Sequence, residues 1–118
     1  MIHIKRIYTK YDKNDGYRIL IDRLWPRGLS KSNAHINLWI PDIAPSNELR
    51  LWFAHDPAKW TIFKKRYEKE LKLNKELLQK LYFITKNKKM TTLLYAAKNE
   101  EKNNAIVLID ALEALDNK

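Results

Sequence analysis

Residues 22–28, which read DRLWPRG, bring an acid, two arginines, an indole, a proline and a glycine into seven positions. An apolar run at residues 19–21 (ILI) comes directly before them. This order is typical of a buried strand that delivers a rigid, charged loop to a surface. Because guanidinium groups offer several hydrogen-bond donors to an oxyanion, the stretch predicts a loop that binds an anion.

A second stretch of mixed chemistry, residues 95–99 (YAAKN), also follows an apolar run. We expect a helix to begin near Asn99 or Glu100. Free N–H groups at a helix N-terminus favour negative charge, and the ligands of parallel sheets collect beyond the carboxyl ends of the strands. If the two strands are neighbours, both stretches open on the same edge. Together they predict an anion-binding crevice that includes the N–H groups of about residues 99–101.

The crevice has two overlapping sets of candidate residues. The candidates for catalysis are Asp22, as a base, with Arg27, Tyr95 and Lys98. The candidates for ligand binding are Arg23, Trp25, Arg27, Arg50, His55, Lys98 and Asn103. For several of them a structural role is the alternative, such as fixing a loop for Asp22 and Arg23, or core packing for Trp25.

The predicted ligand is a small anion that is phosphate-like or nucleotide-like. If the protein is an enzyme, the crevice suits hydrolysis or transfer on a phosphorylated small molecule, with the arginines stabilising the anion. No serine has the context of a nucleophile elbow, and the lack of cysteine excludes a thiolate nucleophile. The sequence therefore leaves open whether any reaction takes place.

Residue counts disfavour several other kinds of site. The three histidines, His3, His35 and His55, lack the spacing of metal ligands, and without cysteine no thiolate-ligated zinc or iron–sulfur site can form. Two glycines, Gly16 and Gly28, are too few for a P-loop or a dinucleotide-binding fingerprint. We therefore expect neither a metal nor a cofactor.

The formal charge of +9 is concentrated in one segment, since residues 57–89 hold eleven Lys or Arg against three Glu. This segment is either a solvated, lysine-rich face or a surface for nucleic acid. It lacks the alternation of arginine with aromatic residues and the motifs of known nucleic-acid-binding folds. A nucleic-acid-binding module that uses the helices over residues 57–86 is therefore the alternative function. A non-enzymatic interaction protein is a further alternative.

Hydrophobic periodicity predicts the elements that position the crevice. The predicted strands cover residues 3–8, 17–24 and 90–96, with a short extended segment at 36–40. The predicted helices cover residues 30–34, 47–54, 57–73 and 75–86, followed by the last helix. Ser30, Ser46 and Asp56 are the expected N-caps.

Apolar strands separated by helices imply parallel pairing through helical crossovers. The sequence thus predicts one α/β domain over residues 1–118, a layered fold with a small, mostly parallel sheet of three or four strands flanked by helices. No apolar run approaches the ~20 residues of a membrane span, and the N-terminus lacks a signal-peptide pattern. We therefore expect a cytoplasmic protein without membrane contact.

Four motifs carry a family resemblance: DRLWPRG at residues 22–28, APS at 44–46, HDP at 55–57 and LLYAAK at 93–98. In this order they resemble the YeaO-like branch of the family called domain of unknown function 488, over essentially the whole chain. The resemblance implies a small α/β protein and brings no established activity.

The chain departs from related branches of that family at two places. The resemblance implies that other branches have a cysteine where Tyr95 stands and a Cys-His-Arg cluster near residues 102–104, so any thiol chemistry suggested for those branches does not carry over. Close relatives often have a histidine where Lys102 stands. The lysine here argues against a proton-transfer role for residue 102.

Overall fold

Within residues 1–117, which the computed structural model describes, four parallel strands form one sheet in the order β1-β4-β2-β3. The strands are β1 (Ile2–Arg6), β2 (Tyr17–Leu20), β3 (Leu38–Trp39) and β4 (Thr91–Tyr95). β4 pairs with both β1 and β2, so the last strand of the chain lies between the first two. The predicted α/β class with a small parallel sheet is confirmed.

Five helices lie in the same described part of the chain. They are α1 (Lys31–Ala34), α2 (Asn47–Phe53), α3 (Trp60–Leu73), α4 (Lys75–Lys86) and α5 (Asn104–Asp116). The hydroxyl groups of Ser30 and Ser46 accept backbone N–H groups at the starts of α1 and α2, as predicted. Asp56 caps the short 3-10 turn that leads into α3. None of these five helices is both long enough and apolar enough to cross a membrane.

The sheet is covered unequally on its two faces. Helices α2 to α5 contribute to the main core, where they pack with Ile19 and Leu93. On the other face a smaller core forms around Leu20 and Leu94, beneath the side chain of Trp25. The centres of β2 and β4 are therefore apolar on both faces, as their continuous apolar runs predict.

A buried ionic cluster lies on the same face as the smaller core. It is centred on Arg18, which is only 2% exposed and forms an ion pair with Asp15. Arg18 also donates hydrogen bonds to the carbonyl oxygens of Ala34 (3.0 Å) and His35 (2.9 Å). Asp15 pairs in addition with Lys5 at 2.9 Å. This Arg18 cluster ties β1 and β2 to the end of α1.

Strand β2 ends at Leu20 rather than at Leu24, so the predicted boundary is wrong. Ile21 still donates a backbone hydrogen bond to β4. The N–H group of Ala96, which would otherwise continue the ladder, donates instead to the carboxylate of Asp22 at 2.9 Å. A side-chain acceptor has replaced the backbone carbonyl at this position, and the strand pairing stops there.

Helix α5 begins at Asn104, which is later than predicted. The side chain of Asn99 accepts the N–H groups of Glu101 and Lys102 and closes a local turn, while Asn103 caps the helix. Asparagine side chains compete with a helix for backbone N–H groups in this way. The predicted helix N-terminus at residues 99–101 is therefore wrong, and Lys98 does not lie at a helix start.

Candidate functional site

A cleft of about 850 Å³ lies at the carboxyl ends of β1, β2 and β4. Its lining includes residues 22–27 after β2 and residues 96–99 after β4, so the structure brings the two predicted stretches together. The rest of the lining comes from the end of β1, from the loop before α2, from α2 and His55 beyond it, from α3, and from the start of α5. Small-molecule sites typically have volumes of roughly 300–1,000 Å³. The cleft is large enough for a nucleotide-sized ligand.

The lining of the cleft is strongly cationic. Five of its side chains carry a positive charge: Arg6, Arg23, Arg27, Arg50 and Lys98. Among the described lining residues, the one carboxylate is Asp22. Since opposite charges attract more strongly where protein walls exclude water, the cleft is suited to an anion.

The carboxylate of Asp22 links separate segments of the chain within the lining of the cleft. Its Oδ2 accepts the N–H of Ala96, and its Oδ1 accepts Nδ2 of Asn104, both at 2.9 Å. Asn104 also donates to the carbonyl oxygen of Ile21 at 3.3 Å. Asp22 thus joins the end of β2 to the end of β4 and the start of α5, which is the structural role considered for it. Each of its carboxylate oxygens has a partner.

Burial raises the pKa of Asp22 above its ordinary value of 3.8, although the hydrogen bonds from Asn104 and Ala96 and the nearby His55 oppose this. The folded protein therefore holds a proton at pH values where the unfolded chain has lost it. We expect the free energy of unfolding of the wild type to fall, relative to Asp22→Asn, as the pH rises from about 3.8 through the raised pKa. Urea unfolding of both proteins across this range measures it. A difference between the two that does not change with pH would contradict the pKa direction.

Arg23 is held along one wall. Its Nε donates to the carbonyl oxygen of Pro45 at 3.1 Å and its Nη2 to that of Ala44 at 3.3 Å. The carboxylate of Asp42 lies 3.9 Å from Nη1. Arg23 therefore lines the cleft and also fixes the loop before α2, so it takes the structural role considered for it.

Trp25 and Arg27 differ in how firmly they are held. The Nε1 of Trp25 donates to the carbonyl oxygen of Leu29 at 2.7 Å, and its ring packs edge-on against Trp39. Arg27 is exposed, and its guanidinium makes no hydrogen bond or ion pair with any other residue of 1–117. The loop thus combines an anchored indole with a free cation.

The α2 wall carries a buried donor without an acceptor. The Nη2 of Arg50 donates to Asn47 at 3.3 Å, whereas its buried Nε has no hydrogen-bond partner within residues 1–117. A buried donor is costly to leave unpaired, and most such donors in folded proteins are satisfied by protein groups or ordered water. At the end of the same helix, Ala54 (φ 46°) and His55 (φ 59°) are both left-handed. Ala54 is the C-cap of α2, a position at which helices commonly adopt this conformation.

Two predicted site residues stabilise the fold. Tyr95 does so away from the cleft, and Asn103 does so while also lining it. Tyr95 is 3% exposed, belongs to the main core and is absent from the cleft lining. Asn103 does line the cleft, but its Oδ1 caps α5 and its Nδ2 donates to the carbonyl oxygen of Asn99. Lys98 is exposed on the cleft.

The sequence reasoning missed Arg6, Tyr8 and Asn104. Arg6 is the last residue of β1 and Tyr8 lies two residues beyond it, and the carboxyl end of β1 meets the same edge as those of β2 and β4. The strand predicted over residues 3–8 contains both of them, so the strand-end rule pointed beyond residue 8 and passed over them. Asn104 carries no local signal, because its partner Asp22 is distant in the chain. Within residues 1–117, no group of three or more His, Asp or Glu side chains could hold a metal ion.

A family model matches the whole chain, and known proteins match nearly all of it. The family described as "Inactive DUF488-N3 subclade" matches residues 1–118. The chain is 42% identical over 114 residues to the uncharacterized protein YeaO of Escherichia coli (strain K12), covering 97% of this chain and 98% of that protein. It is 34% identical over 111 residues to the uncharacterized proteins Rv3073c of Mycobacterium tuberculosis and Mb3100c of Mycobacterium bovis, covering 94% of this chain and 92% of each. No solved structure matches the chain.

Proposed function

The chain belongs to the DUF488 family, within the subclade described as inactive, and from this premise we propose that it is a binding protein for a small phosphate-bearing or nucleotide-like anion. The ligand occupies the cleft at the carboxyl ends of the strands. It is held there without being chemically changed.

The observation that carries the proposal is the imbalance of charge in the cleft. Five cationic side chains surround one carboxylate, and both oxygens of that carboxylate already accept hydrogen bonds. The free guanidinium of Arg27 supplies donors to an incoming anion, and Arg50 adds a further positive charge to the wall. Hydrogen bonds between charged partners are about twice as strong as neutral ones.

The apolar part of the lining supports an organic ligand rather than a bare ion. Leu24 and Trp25 lie on the loop after β2, and Phe53 and Phe63 come from α2 and α3. A pocket that is mostly apolar and aromatic, with a few placed polar groups, is the usual form of a small-molecule site. The rings cover the uncharged part of the ligand while the arginines bind its charged end.

Binding without turnover is supported by the chemistry of the lining. Among the described lining residues there is no serine, threonine or cysteine to act as a nucleophile. Asp22, the candidate base, is engaged on both oxygens, and Tyr95 is buried in the core. The family description, which calls the subclade inactive, agrees with this.

Titration calorimetry with inorganic phosphate and adenosine monophosphate tests the proposal. We expect Arg27→Ala to weaken binding of both probes by roughly 10-fold or more, since a hydrogen bond to a charged group contributes about 1.5–3 kcal/mol. Lys65→Ala is the matched control, because it removes one positive charge from the exposed surface of α3 outside the cleft. The proposal is wrong if the wild type binds neither probe, or if the two variants weaken binding equally.

A change of salt concentration and a triple lysine variant distinguish binding of a ligand in the cleft from binding of nucleic acid. Binding to a phosphate backbone weakens steeply with salt and would suffer when Lys65, Lys69 and Lys72 of α3 are neutralised together. Binding in the cleft would change little in that triple variant. Tight, salt-sensitive binding of single- or double-stranded DNA or RNA that the triple variant loses would favour the nucleic-acid-binding module instead. Binding of neither probe nor nucleic acid would favour an interaction protein.

A further inference from the structure

We propose that Arg6, held in place by Tyr8, provides the phosphate-binding end of the cleft together with Arg27 and Lys98, and that this end selects a dianionic phosphate monoester over a carboxylate. The proposal rests on the proposed function and assigns its ligand class and its main contact.

The Nε of the Arg6 guanidinium is hydrogen-bonded to the protein, whereas its two Nη groups are not, among the residues that the structure describes. It is the last residue of β1, and its Nε donates to the carbonyl oxygen of Ala97 at 3.1 Å. Its guanidinium carbon lies 4.8 Å from the centre of the Tyr8 ring. The two Nη groups make no hydrogen bond with any other residue of 1–117, and the side chain lines the cleft. Both Nη groups are therefore available to a ligand.

Tyr8 links the end of β1 to the loop after β2. Its ring lies under the Arg6 guanidinium, and its hydroxyl donates to the carbonyl oxygen of Arg27 at 2.7 Å. One side chain thus contacts the Arg6 cation and fixes the backbone of Arg27, whose guanidinium stays free among the described residues. Tyr8 is a positioning residue, because it acts through Arg6 and Arg27. Holding the Arg6 guanidinium in place before binding lowers the entropic cost of ordering it around the ligand.

Three cations at one end of the cleft favour a dianion. Lys98 directly follows Ala97, the residue that anchors Arg6, and also lines the cleft. Arg6 and Arg27 bring two guanidinium groups, which match the oxygens of a phosphate by paired hydrogen bonds. A carboxylate has two oxygens and one charge and can satisfy fewer of these donors. The geometry therefore favours a phosphate monoester, which is a dianion above its second pKa of about 6.

The experiment measures binding of methyl phosphate and acetate by calorimetry at pH 5 and pH 8. The wild type is expected to bind methyl phosphate at least 10-fold more tightly than acetate at pH 8, and to lose most of this preference at pH 5. Arg6→Gln is expected to weaken methyl phosphate binding at pH 8 at least 10-fold and to flatten its pH dependence. Lys65→Gln is the matched control, which should leave both unchanged.

Variants of Tyr8 separate positioning from a general effect on the fold. Tyr8→Phe keeps the ring beneath Arg6 and loses only the hydroxyl group, so we expect a loss of about 2- to 5-fold in affinity. Tyr8→Leu loses both contacts and should approach Arg6→Gln. Tyr8 is 40% exposed, and thermal unfolding of each variant checks that it is folded.

The outcomes distinguish the two proposals. If the wild type binds no phosphate, the proposed function fails. If the wild type binds and Arg27→Ala weakens binding, but Arg6→Gln does not, then only the role of Arg6 is wrong. Equal affinity for methyl phosphate and acetate at pH 8 would overturn the ligand class.

Discussion

Replacing Arg18 by alanine is expected to lower the free energy of unfolding by about 3–5 kcal/mol, which is typical when one partner of a buried ion pair is removed. The carboxylate of Asp15 would keep only Lys5 as its ionic partner, and the carbonyl oxygens of Ala34 and His35 would lose their donor. A loss of this size is a large part of the 5–15 kcal/mol that stabilises a domain. Urea unfolding at pH 7 measures it.

Two comparisons show whether the hydrogen bonds of Arg18 cause this loss. Arg18→Lys keeps the charge but cannot reach both carbonyl oxygens, so it should recover only part of the stability. Lys69→Ala, on the exposed surface of α3, removes a positive charge without a buried partner and should change the free energy by less than about 0.5 kcal/mol. An effect of Arg18→Ala no larger than that of Lys69→Ala would contradict the structural role of the Arg18 cluster.

The Arg18 cluster also makes stability depend on pH. Burial favours the neutral acid, but hydrogen bonds, first of all from Lys5, together with the ion pair to Arg18, lower the pKa of Asp15 below its ordinary value of 3.8. A lowered pKa in the fold contributes stability at pH values above 3.8, and this stability is lost as the pH falls through the lowered pKa. We expect the acid-induced loss to be smaller in Arg18→Ala than in the wild type.

Replacing Gly16 by alanine is expected to destabilise the fold by about 3 kcal/mol or more. Gly16 has φ +68° and ψ −133°, a sparsely populated conformation that costs a residue with a Cβ atom roughly 1–3 kcal/mol. An added Cβ would also lie 2.3 Å from the carbonyl oxygen of Met90, so the backbone would have to move. The same carbonyl oxygen of Met90 accepts the backbone N–H of Tyr17 at the start of β2. Overpacking of this kind adds about 1–3 kcal/mol.

Gly28 supplies a matched control for this substitution. It has φ +83°, and an added Cβ would meet no atom within 4 Å. Gly28→Ala therefore isolates the cost of the backbone conformation, and we expect a loss of about 1–2 kcal/mol. Denaturant midpoints of the two variants give the comparison. Equal losses in both variants would show that the close approach of Gly16 to Met90 has no energetic effect.

Much of the fold follows from local sequence patterns. The apolar runs at residues 19–21 and 93–95 predict strands buried on both faces, and Leu20 and Leu94 are fully buried. The helix starts at Ser46 and Asp56 were predictable because a capping side chain binds N–H groups only two or three residues ahead. Such interactions involve neighbours along the chain, so the residues themselves contain the information.

The errors arose where a side chain competes with regular backbone pairing. Asn99 takes two N–H groups that a helix start would leave free, and Asp22 takes the N–H that would have extended β2. Composition does not reveal whether an asparagine or aspartate will cap, turn or bridge, because each choice depends on what lies nearby in space. The family resemblance did not predict these hydrogen bonds, because it rests on short sequence motifs and does not tell which residues are in contact.

The sequence by itself determined the parallel α/β class, most element boundaries, and the two charged stretches at the ends of β2 and β4. Only the tertiary structure decided which groups share the cleft. It added Arg6 and Tyr8, moved Tyr95 into the core, and paired Asp22 with Asn104. The physical reason is that strand order is set by packing between distant segments, and β4 inserts between β1 and β2. Three strand ends, far apart in the chain, therefore meet at one edge and form a single cationic site.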